Sequence, residues 1–246
     1  MATADQNEQQ EEHALFAERE RIQRLERVRQ LVFGSLDGLL VPLGVITGVA
    51  AGTGSSRAVI VAGIAEAFAG AVSMGAGEFI SGRSEAQVQR AEVRKEEAEI
   101  ADNPAYELTE MARLFQHEGV ATHDAVLLAK TLARYPRSYE KTMVEKELAI
   151  PPDPQMAKVP EALTMGASYI IASIFPLVAY FFLPVERAYP VSLGLTFLAL
   201  IAIGIVRGKL AQLNLLRSAA EIIVVGGVSA GGGYLLGTLI PQVLGY

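Results

Sequence analysis

Residues 58–82 read AVIVAGIAEAFAGAVSMGAGEFISG, an apolar stretch in which only Glu66 and Glu78 are charged. About 20 apolar residues, rising about 1.5 Å each, cross the roughly 30 Å hydrocarbon core of a membrane. The stretch is too long and too uniformly apolar for a strand of a transmembrane barrel, in which polarity alternates. We therefore predict a membrane-spanning helix here.

Four further stretches have the same character. The first contains a single charge, Asp37, and the three nearest the carboxyl terminus contain none. Lipid cannot satisfy backbone polar groups, so runs of this kind must be helical. The predicted fold is an all-α membrane protein with five transmembrane helices: Leu31–Gly52, Ala58–Gly82, Ala162–Phe182, Ala188–Val206 and Ile222–Tyr246.

Charged residues concentrate in the middle of the chain, where 25 of the 48 Asp, Glu, Lys and Arg residues fall between Arg83 and Lys158. This segregation excludes an ordinary soluble globule, and the absence of Cys excludes disulfide scaffolds, thiolate metal sites and thiol catalysis. The predicted order is an amino-terminal tail with an amphipathic cytosolic helix (1–30), two transmembrane helices (31–82), a cytosolic helical domain (83–160) and three transmembrane helices (161–246).

Basic residues predict the orientation of the chain. Nineteen of the 21 Lys and Arg residues lie on one side of the predicted spans, and only Arg57 and Arg187 lie on the other. The side rich in basic residues is cytosolic by the positive-inside rule. We expect the amino terminus and the middle domain in the cytosol and the carboxyl terminus outside it. The membrane would be a prokaryotic plasma membrane or a vacuolar membrane.

Asp37 is the strongest candidate for a functional residue inside the membrane. A carboxylate in a membrane span costs at least about 2.5 kcal/mol on insertion scales, so its presence there favours a function. Pro42 lacks an N–H, and its ring crowds the carbonyl of Gly38, which predicts a kink. The Asp37 carboxylate and a freed Gly38 carbonyl would together form a plausible cation site.

Polar residues of the second span recur on one face of its helix. Glu66, Met74 and Glu78 are separated by multiples of four residues, and Met74 falls at a depth similar to that of Asp37. A thioether ligand favours a transition metal over Mg²⁺ or Ca²⁺, although most membrane methionines are only apolar filler. A second stripe has small side chains, which allow another helix to approach closely: Gly63, Ala67, Ala71 and Gly75.

The charged middle domain has a helical pattern with breaks near Asn103-Pro104, at His117–His123, at Tyr135-Pro136 and at Pro151–Pro154. A helix is predicted over Ser138–Ala149. Three of the predicted helices carry Glu or Met side chains three or four residues apart, so that they share one face of the helix. This pattern fits a metal site with oxygen and sulfur ligands, but it also fits an ordinary helix face exposed to solvent. The candidate residues are Glu92, Glu96, Glu99, Glu107, Glu110, Met143 and Glu147.

Several other classes of function lack their motifs. The sequence has no Glu-x-x-His, no zinc-protease motif, no phosphate-binding loop, no EF-hand spacing and no basic stripe with interleaved aromatics. We therefore expect no enzymatic activity, no resident cofactor and no nucleic-acid partner. The residues alone leave three readings open: a divalent-cation transporter, a membrane-anchored metal sensor or buffer, and a di-iron membrane enzyme. Asp37 and Met74 favour the first, and the missing Glu-x-x-His argues against the third.

Two motifs and one insertion resemble a known family. The first motif is Asp37-Gly38-x-x-x-Pro42. The insertion is the Glu-rich region between the second and third spans. The second motif is Ala65-Glu66-x-x-x-Gly70-Ala71-x-Ser73-Met74-Gly75-x-Gly77. Over residues 29–246 the chain resembles the vacuolar iron transporter family.

The resemblance implies a homodimer in the lipid bilayer, with five membrane helices and a cytosolic metal-binding domain in each chain. It implies export of Fe²⁺, and often Mn²⁺, from the cytosol in exchange for protons. Asp37 and Met74 would line the ion path at the dimer interface, with Glu66 nearby. Val144 departs from the family, because some members have a second Met there. The residues implied to bind divalent transition metals in the cytosolic domain are Glu96, Glu99, Glu107, Glu110, Met143 and Glu147.

Overall fold

The computed structural model describes the backbone of residues 2–154, 159–210 and 212–244, and the side chains of 28–154, 159–210 and 212–243. All regular elements in these ranges are helices, which confirms the all-α fold class. Most side chains of the amphipathic segment predicted over residues 1–30 lie outside the described residues. The helices are α1 (Ala2–Thr53), α2 (Ser56–Asp102), α3 (Pro104–His117), α4 (Thr122–Leu132), α5 (Pro136–Glu147), α6 (Val159–Leu177), α7 (Ala179–Phe182), α8 (Val185–Leu210) and α9 (Leu215–Leu244).

The chain divides into two compact units. The first contains Met1–Glu78 and Lys158–Tyr246, and the second contains Phe79–Ala157. Helix α2 contributes to both units as one uninterrupted helix, as the sequence predicts from the lack of any breaker between Arg83 and Asp102.

Glycines let α1 and α9 of the first unit pack backbone against backbone. A Cβ atom on Gly48 would lie 3.0 Å from the carbonyl oxygen of Gly233, and one on Gly52 would lie 2.9 Å from that of Gly237. A larger residue would force the helices apart. This close approach builds a compact unit from helices whose outer faces remain apolar.

The predicted small-residue stripe of α2 packs against α6. A Cβ atom on Gly75 would lie 3.0 Å from the carbonyl oxygen of Ala162, and one on Gly166 would lie 3.0 Å from that of Ala71. The stripe is therefore the close-approach surface that its spacing predicts. Elsewhere on α2, large apolar side chains are exposed, as a lipid-facing surface requires: Val61, Ile64, Phe68 and Val72.

Within the described residues, four helices contain a stretch long and apolar enough to cross a membrane: Val28–Thr53, Ser56–Asp102, Val185–Leu210 and Leu215–Val243. The predicted third span, Ala162–Phe182, is instead divided between α6 and the short α7. Pro176 lies in the last turn of α6, and its missing N–H weakens the helix where the division falls. A fifth crossing therefore stays a prediction.

The second unit follows the predicted breaks. Helices α3 and α5 begin at Pro104 and Pro136, because proline is well tolerated in the first helical turn. Helix α5 begins and ends two residues earlier than the predicted Ser138–Ala149. The Arg90 side chain donates hydrogen bonds of 3.2 and 3.0 Å from Nε and Nη2 to the carbonyl oxygen of Pro154. This fixes the proline-rich loop against α2.

Candidate functional site

Three carboxylates from three helices converge in the second unit. Glu96 comes from α2, Glu107 from the first turn of α3, and Glu147 from the end of α5. Each offers one oxygen, and these oxygens all lie within 4.8 Å of one another. We call these three residues the acidic cluster. Oxygen ligands from several helices that face one point suit a divalent cation.

The acidic cluster is unusual because two of its members are buried. Glu96 is 2% exposed and Glu107 is 4% exposed, whereas Glu147 is exposed. The Oε1 atom of Glu96 is buried without a hydrogen-bond partner among the described residues. Burying neighbouring carboxylates and leaving one of their oxygens without a hydrogen-bond partner is unfavourable, so this arrangement differs from the solvated helix face that the sequence also allowed.

Burial and mutual repulsion disfavour ionisation of the cluster. Burial, followed by the charges of Glu147, Glu107, Glu99 and Glu110, raises the pKa of Glu96 from 4.5 to about 7. Burial and then Glu110 also raise the pKa values of Glu107 and Glu147. A divalent cation would remove this repulsion and favour the ionised carboxylates.

Two further predicted ligands lie beside the cluster rather than in it. Glu99 and Glu110 are half-buried, and Glu99 forms an ion pair with Lys95 at 3.5 Å. Their charges reach the cluster, because both raise the pKa of Glu96. Their charges would add to the attraction for a cation at the acidic cluster, although their oxygens are not among the three that converge.

The predicted sulfur ligand, Met143, is fully buried one turn before Glu147. It packs in an apolar core with Met111 and Tyr139. Val144 is also fully buried, so a second methionine at this position would lie inside the protein rather than on its surface.

A lysine holds α5 against the end of α3. Lys146 Nζ donates to both carboxylate oxygens of Glu118 at 2.6 Å and lies 4.8 Å from the centre of the Phe115 ring. Because Lys146 directly precedes Glu147, this contact fixes the helix end that carries the third carboxylate of the cluster. It combines an ion pair with a cation–π contact, which the sequence pattern did not indicate.

The raised pKa of Glu96 predicts a pH-dependent affinity for metal. A metal ion bound at the acidic cluster would displace a proton from Glu96, so the affinity of the full-length protein for Mn²⁺ should fall by about tenfold per pH unit below about pH 7 and level off above it. Titration of the detergent-solubilised protein with Mn²⁺ at several pH values measures this. In a Glu96→Gln variant the remaining affinity should vary less with pH. Equal affinity on both sides of about pH 7 in the unmodified protein would contradict the prediction.

The same shift has a consequence for the stability of the metal-free protein. The pKa of Glu96 is 4.5 for the unperturbed side chain of the unfolded protein and about 7 in the folded protein. Between pH 4.5 and about 7, the folded state therefore binds more protons than the unfolded state. The free energy of unfolding should therefore fall as the pH rises through this window.

In the first unit, a tyrosine that sequence reasoning did not select contacts one of the predicted ion-path residues. Tyr169 of α6 donates a hydrogen bond from its hydroxyl to Oε1 of Glu66. The Oε2 atom of Glu66 is buried without a partner among the described residues. Asp37 and Met74 are both half-buried.

Two glycines of the sequence motifs make room for Tyr169. A Cβ atom on Gly70 would collide with the Tyr169 ring, and one on Gly38 would collide with the Tyr169 carbonyl oxygen and lie 2.8 Å from its Cα atom. These glycines let α6 approach α1 and α2 at the level of the intramembrane carboxylates. The packing explains why both motifs place glycine near an acidic residue.

The third acidic residue of these spans, Glu78, is held by α1. Gln30 Nε2 donates a hydrogen bond of 3.1 Å to Glu78 Oε1, and Arg29 lies 3.7 Å from the same oxygen. Glu78 therefore has partners of its own, unlike the second oxygen of Glu66. Gln30 is 3% exposed and is a further contact that the sequence did not indicate.

Comparison with known proteins places these features in a family. The model of the VIT family matches residues 28–238, which include Asp37, Glu66 and the acidic cluster. The chain belongs to the VIT family. This confirms the resemblance found in the motifs of the first two spans, and together with the apolar helices it makes the chain a multi-pass membrane protein.

Proteins similar to this chain include plant and fungal transporters. Vacuolar iron transporter 1 of Eucalyptus grandis is 33% identical over 207 residues, which cover 83% of each chain. Vacuolar iron transporter 1 of Arabidopsis thaliana is 31% identical over 219 residues, covering 88% of this chain and 87% of the relative. Vacuolar iron transporter cccA of Arthroderma benhamiae is 29% identical over 225 residues, covering 87% and 79%.

Proposed function

We propose that this protein transports divalent transition-metal ions across a membrane, with Fe²⁺ as the main substrate and Mn²⁺ as a second one. The observation that carries the proposal is the family match over residues 28–238, a range that includes the intramembrane carboxylates and the acidic cluster. Relatives that align over most of their length are named vacuolar iron transporters. A metal sensor would need the cluster but not costly carboxylates inside an apolar helix.

The ion path in this proposal is lined by Asp37 and Met74, with Glu66 close to them. Oxygen and thioether ligands together favour Fe²⁺ or Mn²⁺ over Mg²⁺. We propose that the protein is a homodimer, in which each copy contributes its own Asp37, Met74 and Glu66 to the ion path. The Oε2 atom of Glu66, which has no hydrogen-bond partner among the residues whose side chains are described, supports a role in holding a cation.

Transport is proposed to run out of the cytosol in exchange for protons. Carboxylates that are ionised on a near-neutral cytosolic side hold a divalent ion, and protonation on an acidic outer side removes the charge that holds it. The distribution of basic residues supports a cytosolic amino terminus, a cytosolic domain over 83–160 and an outer carboxyl terminus. The membrane would be a vacuolar or a prokaryotic plasma membrane.

The acidic cluster is proposed to capture ions on the cytosolic side before they enter the path. Its three oxygens converge outside the apolar part of α2, so it can collect metal without lying in the membrane. Glu99, Glu110 and Met143 would support this capture through charge and packing.

Uptake of Fe²⁺ into proteoliposomes under reducing conditions tests the proposal. Vesicles that contain the purified protein should accumulate Fe²⁺ well above protein-free vesicles, with weaker uptake of Mg²⁺. Inserted, folded protein that binds Fe²⁺ but produces no uptake above the protein-free vesicles would instead identify a membrane-anchored sensor or buffer.

A further inference from the structure

Tyr139 shares a face of α5 with the predicted ligands of that helix. It precedes Met143 by four residues and Glu147 by eight, so the three side chains lie along one stripe. Its side chain is 6% exposed and packs in the same apolar core as Met143. Apolar packing accounts for the burial of the ring, but it does not account for the burial of the hydroxyl group.

The hydroxyl group of Tyr139 is buried and has no hydrogen-bond partner among the described residues. Burial, and then the charges of Glu107, Glu96, Glu110 and Glu147, raise the pKa of this hydroxyl to about 12. The hydroxyl is therefore within electrostatic range of the acidic cluster, without a hydrogen bond to any of its carboxylates. Burying an unpaired hydroxyl is unfavourable, and phenylalanine would give the same ring packing without that cost.

A hydrated cation in the cluster would supply the missing partner. Three carboxylates that each give one oxygen leave coordination positions of a divalent transition metal to water. The charge of the ion makes such a water a strong hydrogen-bond donor. Groups just outside the ligands of a metal commonly hold those ligands and the bound water in place.

We infer that Tyr139 is a positioning residue of the acidic cluster, whose phenol oxygen accepts a hydrogen bond from a water ligand of a divalent ion bound by Glu96, Glu107 and Glu147. The inference rests on the proposed capture of metal by this cluster and adds a residue outside the predicted ligand set. It explains why a buried tyrosine, rather than a phenylalanine, occupies this position.

Mn²⁺ binding by the full-length protein in detergent tests the inference, with free Mn²⁺ measured by electron paramagnetic resonance. The Tyr139→Phe variant should bind Mn²⁺ about tenfold more weakly than the unmodified protein. The melting temperature of the metal-free variant should be equal or higher, because the change removes an unpaired buried hydroxyl. Adding Mn²⁺ should shift the near-ultraviolet tyrosine absorption of the unmodified protein, and the Tyr139→Phe variant should lack that shift.

Tyr106→Phe is the matched control, because Tyr106 lies in the same unit and is 61% exposed. This substitution should change neither the Mn²⁺ affinity nor the shift of tyrosine absorption.

Equal Mn²⁺ affinity in the Tyr139→Phe variant would overturn the inference. So would a weaker affinity accompanied by a lower metal-free melting temperature, which would assign Tyr139 to packing alone. Failure of the unmodified protein to bind Mn²⁺ at the cluster would overturn both the inference and the capture role. An absence of metal flux with the Tyr139 effect intact would overturn only the transport proposal.

Discussion

Asp37→Asn is expected to abolish metal transport while leaving the protein folded and inserted. The substitution keeps the size of the side chain and removes the charge that would hold a cation inside the membrane. Loss of one member of a buried charge pair costs about 2–5 kcal/mol, which corresponds to about a 30-fold or greater loss of flux. Fe²⁺ uptake into proteoliposomes, normalised to the amount of inserted protein, measures the effect.

Asp124→Asn is the matched control for this substitution. The Asp124 side chain is 67% exposed in α4, so the same chemical change there should leave Fe²⁺ flux close to that of the unmodified protein. Near-normal flux in the Asp37→Asn protein would contradict the assignment of Asp37 to the ion path.

Combined Glu96→Gln and Glu107→Gln substitutions are expected to weaken capture more than passage. Removing groups outside the first ligands of a metal site already costs about 10–100-fold in affinity, so losing two direct ligands should raise the half-saturating Fe²⁺ concentration at least about tenfold. The maximal flux should change much less, because the intramembrane residues remain intact. Initial uptake rates over a range of Fe²⁺ concentrations separate the two quantities.

Combined Glu85→Gln and Glu97→Gln substitutions provide the control, because both side chains are exposed on α2 and the two changes remove the same formal charge. An equal rise in half-saturating concentration in both double variants would mean that net charge alone attracts the ion. An unchanged half-saturating Fe²⁺ concentration in the Glu96 and Glu107 double variant would show that the acidic cluster does not capture metal for transport.

The sequence predicted the elements that depend on local physical chemistry. Prolines at positions 104 and 136 mark the starts of α3 and α5, because proline fits the first turn of a helix. The spacing of small residues correctly indicated the surface of α2 that approaches α6. The third span was less predictable, because whether Pro176 bends or divides a helix depends on packing that the apolar pattern does not encode.

The functional candidates show the same division between local and long-range information. Periodicity placed Glu96 and Glu99 near one another on α2, but it could not tell which one meets Glu107 and Glu147 across the unit. Tyr139 was within reach of sequence reasoning, because it extends the Met143 and Glu147 stripe by one turn. Tyr169 was not, because its contact with Glu66 joins residues 103 positions apart in the chain.

If the protein exchanges metal for protons, the direction of a proton gradient must change the rate of metal flux. Fe²⁺ flux through the reconstituted protein is followed under proton gradients of either sign, with the membrane voltage clamped by an ionophore. Flux towards the compartment on the carboxyl-terminal side should increase when that compartment is acidified, and protons should move in the opposite direction, because protonated carboxylates release the ion. Metal flux that is the same under both gradients, with no accompanying proton movement, would contradict the claim and leave the carboxylates with a role in ion selection alone.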